Sequence, residues 1–181
     1  MVMALLRKPS PVPDYSVWLV PDRDSKTHHR LQEVITDCAE AHEDAPEFDP
    51  HITLVGGING EEASLADTTR RLASRCGPLS VSFARVHCST TRYQCVFLLV
   101  EPTMELLSLH QTASQAFGMA EGMYVPHLSL VYSDMSVQDR FETVAAIQAE
   151  SLPETVKLST IELVNTSGEV SEWESVASYS L

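Results

Sequence analysis

Hydrophobic and polar positions along the chain change period repeatedly, and each change marks an element. Tyr15-Ser16-Val17-Trp18-Leu19-Val20 gathers aromatic and β-branched residues and is closed by Pro21-Asp22, which predicts a first strand. The period then lengthens: Leu31, Val34, Ile35, Cys38, Ala39 and His42 form one apolar stripe at helical spacing, with Asp24 or Ser25 as N-cap. A second helix is predicted over Glu61–Cys76, acidic at its start, basic at its end and stopped by Gly77-Pro78. A third runs from Pro102 to Phe117, with Leu106, Leu109, Ala113 and Phe117 on one face and Gly118 as terminator. A fourth begins at Ser136, whose side chain caps with Asp139 as its partner; Val137, Phe141, Val144 and Ala145 are its expected inward face. Further strands are expected at about 50–56, 80–88, 93–101, 126–132, 156–165 and 173–179. Helices interspersed with strands, and a long hairpin-like pair at 80–101, predict an α+β fold with largely antiparallel sheets.

Composition narrows the partners. Twelve Lys+Arg against 25 Asp+Glu give 181 residues a net charge of −13, which opposes binding to an extended polyphosphate backbone. The longest apolar run, Cys95 to Val100, is far short of the ~20 residues of a membrane helix. Ala4-Leu5-Leu6 is too short for a signal peptide, so residues 1–13 are expected to be a flexible tail on an unexported, cytoplasmic protein. Cys38, Cys76, Cys88 and Cys95 form no C-x-x-C pair and are read as small buried hydrophobes. No glycine-rich phosphate loop is present.

The chemistry lies in a repeat. Pro50-His51-Ile52-Thr53-Leu54-Val55 returns as Pro126-His127-Leu128-Ser129-Leu130-Val131, the histidines 76 positions apart (127 − 51). Each copy sits on a predicted strand followed by a helix, which fits two pseudo-equivalent half-folds. Strand alternation puts His51 with Thr53, and His127 with Ser129, on one face, and the aliphatic residues on the other. Facing halves would present two imidazoles and two hydroxyls to one cleft. Paired imidazoles can divide general-base and general-acid work near neutral pH, and hydroxyls can hold nonbridging phosphate oxygens. No metal is expected, because Zn or Fe(II) would want a third ligand beside the two histidines.

Paired H-x-[TS] motifs identify the chain as similar to the two-histidine (2H) phosphoesterase superfamily, and it resembles the plant-type cyclic phosphodiesterase branch. The resemblance covers about residues 14–179. It extends to Tyr15-Ser16-Val17-Trp18 before Pro21-Asp22, Phe48-x-Pro50-His51, Gln94 to Leu99, Tyr124-x-Pro126-His127-Leu128-Ser129-Leu130-x-Tyr132, and Glu172-Trp173-Glu174-x-Val176-Ala177. It implies a single bilobal domain over 14–181, with two pseudo-symmetric lobes, antiparallel sheets lining a central cleft and helices outside. It also implies a hydrolase that opens ADP-ribose 1″,2″-cyclic phosphate to the 1″-phosphate, downstream of tRNA splicing, and nucleoside 2′,3′-cyclic phosphates to 2′-phosphates. His51 and His127 carry over as the acid–base pair, and Thr53 and Ser129 as the phosphate-holding hydroxyls. In the order taken here as a hypothesis, His127 activates water and His51 protonates the departing ribose oxygen. Tyr132 matches a cleft tyrosine of the family, although strict alternation from His127 points it to the opposite face unless the strand ends or bulges near Val131. For base stacking Trp18 and Tyr93 are the candidates, with sheet core as the default reading of each. His28, His29, His42, His87 and His110 match no motif position and are read as surface or packing residues. The expected partner is a small cyclic phosphate, with no cofactor, no membrane, no extended nucleic acid, and a monomeric chain. Competing readings are a superfamily member acting on RNA ends or 2′-5′ linkages, and a non-catalytic nucleotide-binding module.

Overall fold

A computed structural model describes residues 13–120 and 122–181, so the tail expected over 1–13 lies, apart from Pro13, outside the described residues. Strand β1 (Tyr15–Pro21) leads into α1 (Lys26–Ala41), β2 (Ile52–Ile58), α2 (Glu62–Ala73), β3 (Leu79–Cys88) and β4 (Val96–Val100). Helix α3 (Met104–Ala116), β5 (His127–Val131), α4 (Val137–Gln148), β6 (Thr155–Asn165) and β7 (Glu174–Ser180) complete the order. The starts of α1 and α4 are the predicted ones for the predicted reason. Ser25 accepts from the His28 amide and Ser136 from the Asp139 amide, each satisfying an amide that the helix itself leaves open. Helix α3 ends as expected at Gly118, whose φ of +65° is a left-handed conformation that costs glycine little.

The strands form one seven-stranded antiparallel sheet, in the order β1-β2-β5-β4-β3-β6-β7, with β1 also pairing to β6. The α+β class and its antiparallel strands are as expected. The two halves, however, are hydrogen-bonded to each other at both ends. On one side β2 and β5 meet at the single pair Ile52↔Leu128. On the other, β6 is long enough to serve both halves: Thr155–Leu158 pairs with β3, and the remainder with β1 and β7. Helices cover the halves from outside, α2 and α3 over β6, β7 and β2, α1 and α4 over β5, β3 and β4. The aliphatic face of each motif feeds this core: Ile52, Leu54, Leu128 and Leu130 are almost wholly buried, each side chain contributing about 1.5–3 kcal/mol.

One predicted face is corrected. Helix α4 turns Arg140, Thr143 and Ile147 inward and packs Val144 against the core as expected, while Val137, Phe141 and Ala145 are exposed. The apolar template failed in part because the interior beside Ile147 and Val144 is polar. Arg140 reaches four main-chain carbonyls there, and Thr143 meets His42, so hydrogen bonding fixes the helix's rotation. Two cysteines, Cys38 and Cys95, are buried as expected; Cys76 and Cys88 are half-buried, and all four are free thiols.

Candidate active site

Ile52 and Leu128 occupy equivalent positions in the two copies of the repeat, and they are the residues through which β2 and β5 pair. The antiparallel ladder therefore crosses the copies about a local two-fold axis. Their histidines and hydroxyl residues fall on the face opposite Ile52 and Leu128. The sequence forces this outcome: period-two alternation in both copies separates polar from aliphatic, and the aliphatic side has a core to enter.

The imidazoles are anchored identically. His51 Nδ1 donates to the Asp49 carbonyl at 2.7 Å and His127 Nδ1 to the Val125 carbonyl at 2.8 Å, two residues back in each case. A carbonyl only accepts, so both rings carry their proton on Nδ1 when neutral and present the Nε2 lone pair outward. The environments then diverge. His51 is 3% exposed, lies under the Trp18 indole at 3.6 Å and 11° from parallel, and has the Phe48 ring across its edge. Burial drives its pKa down to about 4; the Asp49 carbonyl opposes that shift and the charge of His127 adds to it. His127 is only half-buried, beside Phe97; burial lowers its pKa too, opposed by the Val125 carbonyl.

Tyr132 resolves the question that alternation raised. Strand β5 ends at Val131, so Tyr132 escapes the period-two rule and turns back towards His51. Its hydroxyl lies 3.3 Å from His51 Nε2, and the tautomer set by Asp49 makes the hydroxyl the donor. The phenol is held by stacking on Phe48 at 4.0 Å, and burial raises its pKa.

A cavity of about 550 Å³ opens over this surface, a suitable size for a small ligand. His51, His127, Thr53, Tyr132, Trp18 and Tyr93 all line it. Ser129 lies one layer behind: it is 4% exposed and its hydroxyl donates to the Tyr93 carbonyl at 3.1 Å. Among the described residues, no Lys or Arg lines the cavity, and no group of three or more His, Cys, Asp or Glu is gathered to hold a metal ion.

Several lining residues were given no site role from the sequence, although Trp173 was among those that carry the family resemblance. Trp173 is the largest. Its ring centroid lies 5.8–5.9 Å from those of Trp18, Tyr93 and Tyr132, and its buried Nε1 has no partner among the described residues. Its signal was available, since it is one of two tryptophans and the other lies beside a motif histidine. Ser16 was legible by alternation, two residues before Trp18 on the cleft face of β1. Asp14 and Thr166 belong to the rim, where β1 and β6 end, and carry no local pattern. Beside the site, Arg23 bridges Asp49 at 3.0 Å and the buried Glu162 at 2.7 Å, and Glu162 pairs with Trp18 across β1 and β6. That network supports the backbone whose carbonyl orients His51.

The profile of the cyclic phosphodiesterase-like protein family matches residues 14–181. A cyclic phosphodiesterase from Arabidopsis thaliana is 28% identical, the match covering 70% of this chain and 68% of that one. A 2′,3′-cyclic-nucleotide 3′-phosphodiesterase from Yarrowia lipolytica is 27% identical, with 88% and 95% covered. Among solved structures, LigT of E. coli complexed with 3′-AMP superposes with a TM-score of 0.59 at 12% identity, over 94% of this chain and 98% of that one. TT0787 of Thermus thermophilus gives 0.61 at 13%, over 93% and 97%. At such identities the two structures bear on the fold alone.

Proposed function

Since the chain belongs to the cyclic phosphodiesterase-like family of 2H phosphoesterases, we propose that it hydrolyses small cyclic phosphates with its two imidazoles and no metal. The substrates are nucleoside 2′,3′-cyclic phosphates, opened to 2′-phosphates, and ADP-ribose 1″,2″-cyclic phosphate, opened to the 1″-phosphate. One observation carries this reading: both histidines are locked by the same Nδ1-to-carbonyl bond, so that two Nε2 atoms serve one cavity. The Yarrowia relative's name supports the nucleoside substrate, and a cavity wall that has no Lys or Arg among the described residues suits the singly charged nucleoside cyclic phosphate in particular.

His51 takes the base role and His127 the acid role. This reverses the order expected from the sequence, because burial and the Tyr132 hydroxyl both favour neutral His51, whereas half-buried His127 accepts a proton more readily. As the Tyr132 hydroxyl turns from His51 Nε2 to a nonbridging phosphate oxygen, His51 Nε2 removes a proton from the water whose oxygen bonds to phosphorus. The bond from phosphorus to the ribose 3′ oxygen breaks, and that oxygen takes the proton from His127 Nε2. Thr53 donates to a nonbridging oxygen, and Ser129 joins it by turning its hydroxyl from the Tyr93 carbonyl. Trp18, Tyr93 and Trp173 provide the aromatic wall for the base.

The test is hydrolysis of 2′,3′-cyclic AMP and ADP-ribose cyclic phosphate in EDTA. Turnover of both in chelator is expected. Cleavage of oligonucleotides alone would move the chain to the RNA-processing branch, and turnover of none would make it a binding module.

A further inference from the structure

Arg140 is an unusual buried cation. It is 6% exposed, yet its guanidinium is paired with no carboxylate among the described residues. Nε donates to the Met135 carbonyl at 3.1 Å, Nη2 to Ser133 at 3.3 Å, and Nη1 to Thr91 at 3.1 Å and Ser89 at 2.5 Å. Burying a charge against neutral acceptors alone is costly, and removing it would leave four main-chain carbonyls without these donors. What the guanidinium offers in return is geometry: several donors in a fixed planar fork that grip separate carbonyls at once.

The carbonyls come from two segments, and both lead to the cleft. Ser89 and Thr91 precede the turn Arg92–Gln94, which carries Tyr93. Ser133 and Met135 lie one and three residues after Tyr132. The two tyrosine rings meet edge to face at 5.4 Å, and the Tyr132 hydroxyl reaches His51 Nε2. The repeat adds an independent observation. Shifting back by its 76-residue offset, Tyr132 maps onto Gly56 and Arg140 onto Ser64, so the first half has neither the tyrosine nor the clamp. The two departures from pseudo-symmetry occur together, and in the folded chain they are joined by hydrogen bonds through one loop.

We infer that Arg140 is a positioning residue: by tying 89–91 to 133–135 it sets the Tyr132 hydroxyl on His51 and Tyr93 on the cleft wall. The inference rests on the reading of His51 and His127 as the reacting pair, but it can be tested without substrate. The groups facing His51 are Asp49, Glu162, His127 and Tyr132, and of these only Tyr132 is held by the clamp. Titration of the His51 ring by NMR in the full-length protein is the readout, in Tyr132→Phe, Arg140→Lys and the double variant. Loss of the hydroxyl donor removes a bond to neutral imidazole, so the His51 pKa rises by about one unit in Tyr132→Phe. Arg140→Lys, which keeps the charge but not the fork, is expected to raise it in the same direction, and the double variant to rise no further than Tyr132→Phe. An unmoved His51 titration in folded Arg140→Lys, or additive shifts in the double variant, would overturn the inference while leaving the proposed reaction intact. Arg140→Gln replaces the lysine variant if that one does not fold. Failure of both to fold would also overturn it, since Arg140 would then hold the domain and not the site.

Discussion

The Trp18 indole and the His51 imidazole lie 3.6 Å apart and within 11° of parallel, which seals one of the two motif histidines from solvent on a whole face. His127, its equivalent in the other half, meets Phe97 edge to face at 5.2 Å and has no ring stacked on it among the described residues. A symmetric repeat has thereby become two chemically distinct imidazoles, and the contact that separates them comes from β1, outside the repeat itself.

Replacing Trp18 by Ala removes that seal. Water then reaches His51, and its pKa rises from about 4 towards the ordinary 6.5, visible in the ring resonances on titration. Loss of a buried tryptophan should cost about 3–5 kcal/mol of stability. A His51 pKa unchanged in the folded variant would assign the shift to another cause.

The same depressed pKa makes stability depend on pH. Between about 4 and 6.5 the unfolded chain holds a proton on His51 that the folded chain refuses, so stability increases with pH across that window. The shift corresponds to about 3 kcal/mol, fully present above pH 6.5, lost as the pH falls to 4, and constant below it. Urea denaturation of the wild type and His51→Gln at several pH values isolates this contribution from the carboxylates. The variant should show the flatter rise, and parallel curves would contradict it.

The division of labour between the histidines has its own signature. Either single alanine variant should lose about 10²–10⁴-fold in kcat on a nucleoside 2′,3′-cyclic phosphate. With sulfur in place of the departing 3′ oxygen, the leaving group needs no proton. His127→Ala should then recover most of its loss while His51→Ala does not. Recovery in His51→Ala instead restores the order expected from the sequence.

Trp173 faces the cavity with Trp18 and Tyr93, and stacking of a base on an aromatic ring contributes about 1–3 kcal/mol. Trp173→Leu is therefore expected to raise KM for nucleoside cyclic phosphates roughly 5- to 150-fold with little change in kcat. Equal effects on a cyclic phosphate lacking a base would argue against stacking.

Most of the fold was legible because its signals are local. Clustered aromatic and β-branched residues marked the first strand, alternation gave the faces of the two motif strands, and Ser25, Ser136 and Gly118 marked helix ends by their capping chemistry. The site histidines were legible because the repeat makes a local pattern occur twice. What escaped depends on distant partners. The inward face of α4 is set by carbonyls of residues 89, 91, 133 and 135 that no helical template includes. Trp173 reaches the cleft only because β7 returns beside β6. The union of both halves into one sheet needs β6 to change partners midway, which hydrophobic pattern alone does not encode. Ser129 shows the limit of alternation, which gave its face but not the Tyr93 carbonyl that takes its hydrogen bond.

The central claim, that His51 and His127 act as one acid–base pair, is tested most directly by the pH dependence of kcat/KM for 2′,3′-cyclic AMP in EDTA, measured for the wild type and each His→Ala variant. A bell-shaped profile is predicted for the wild type, with one limb lost in each variant. A bell that persists in either single variant would contradict the pair.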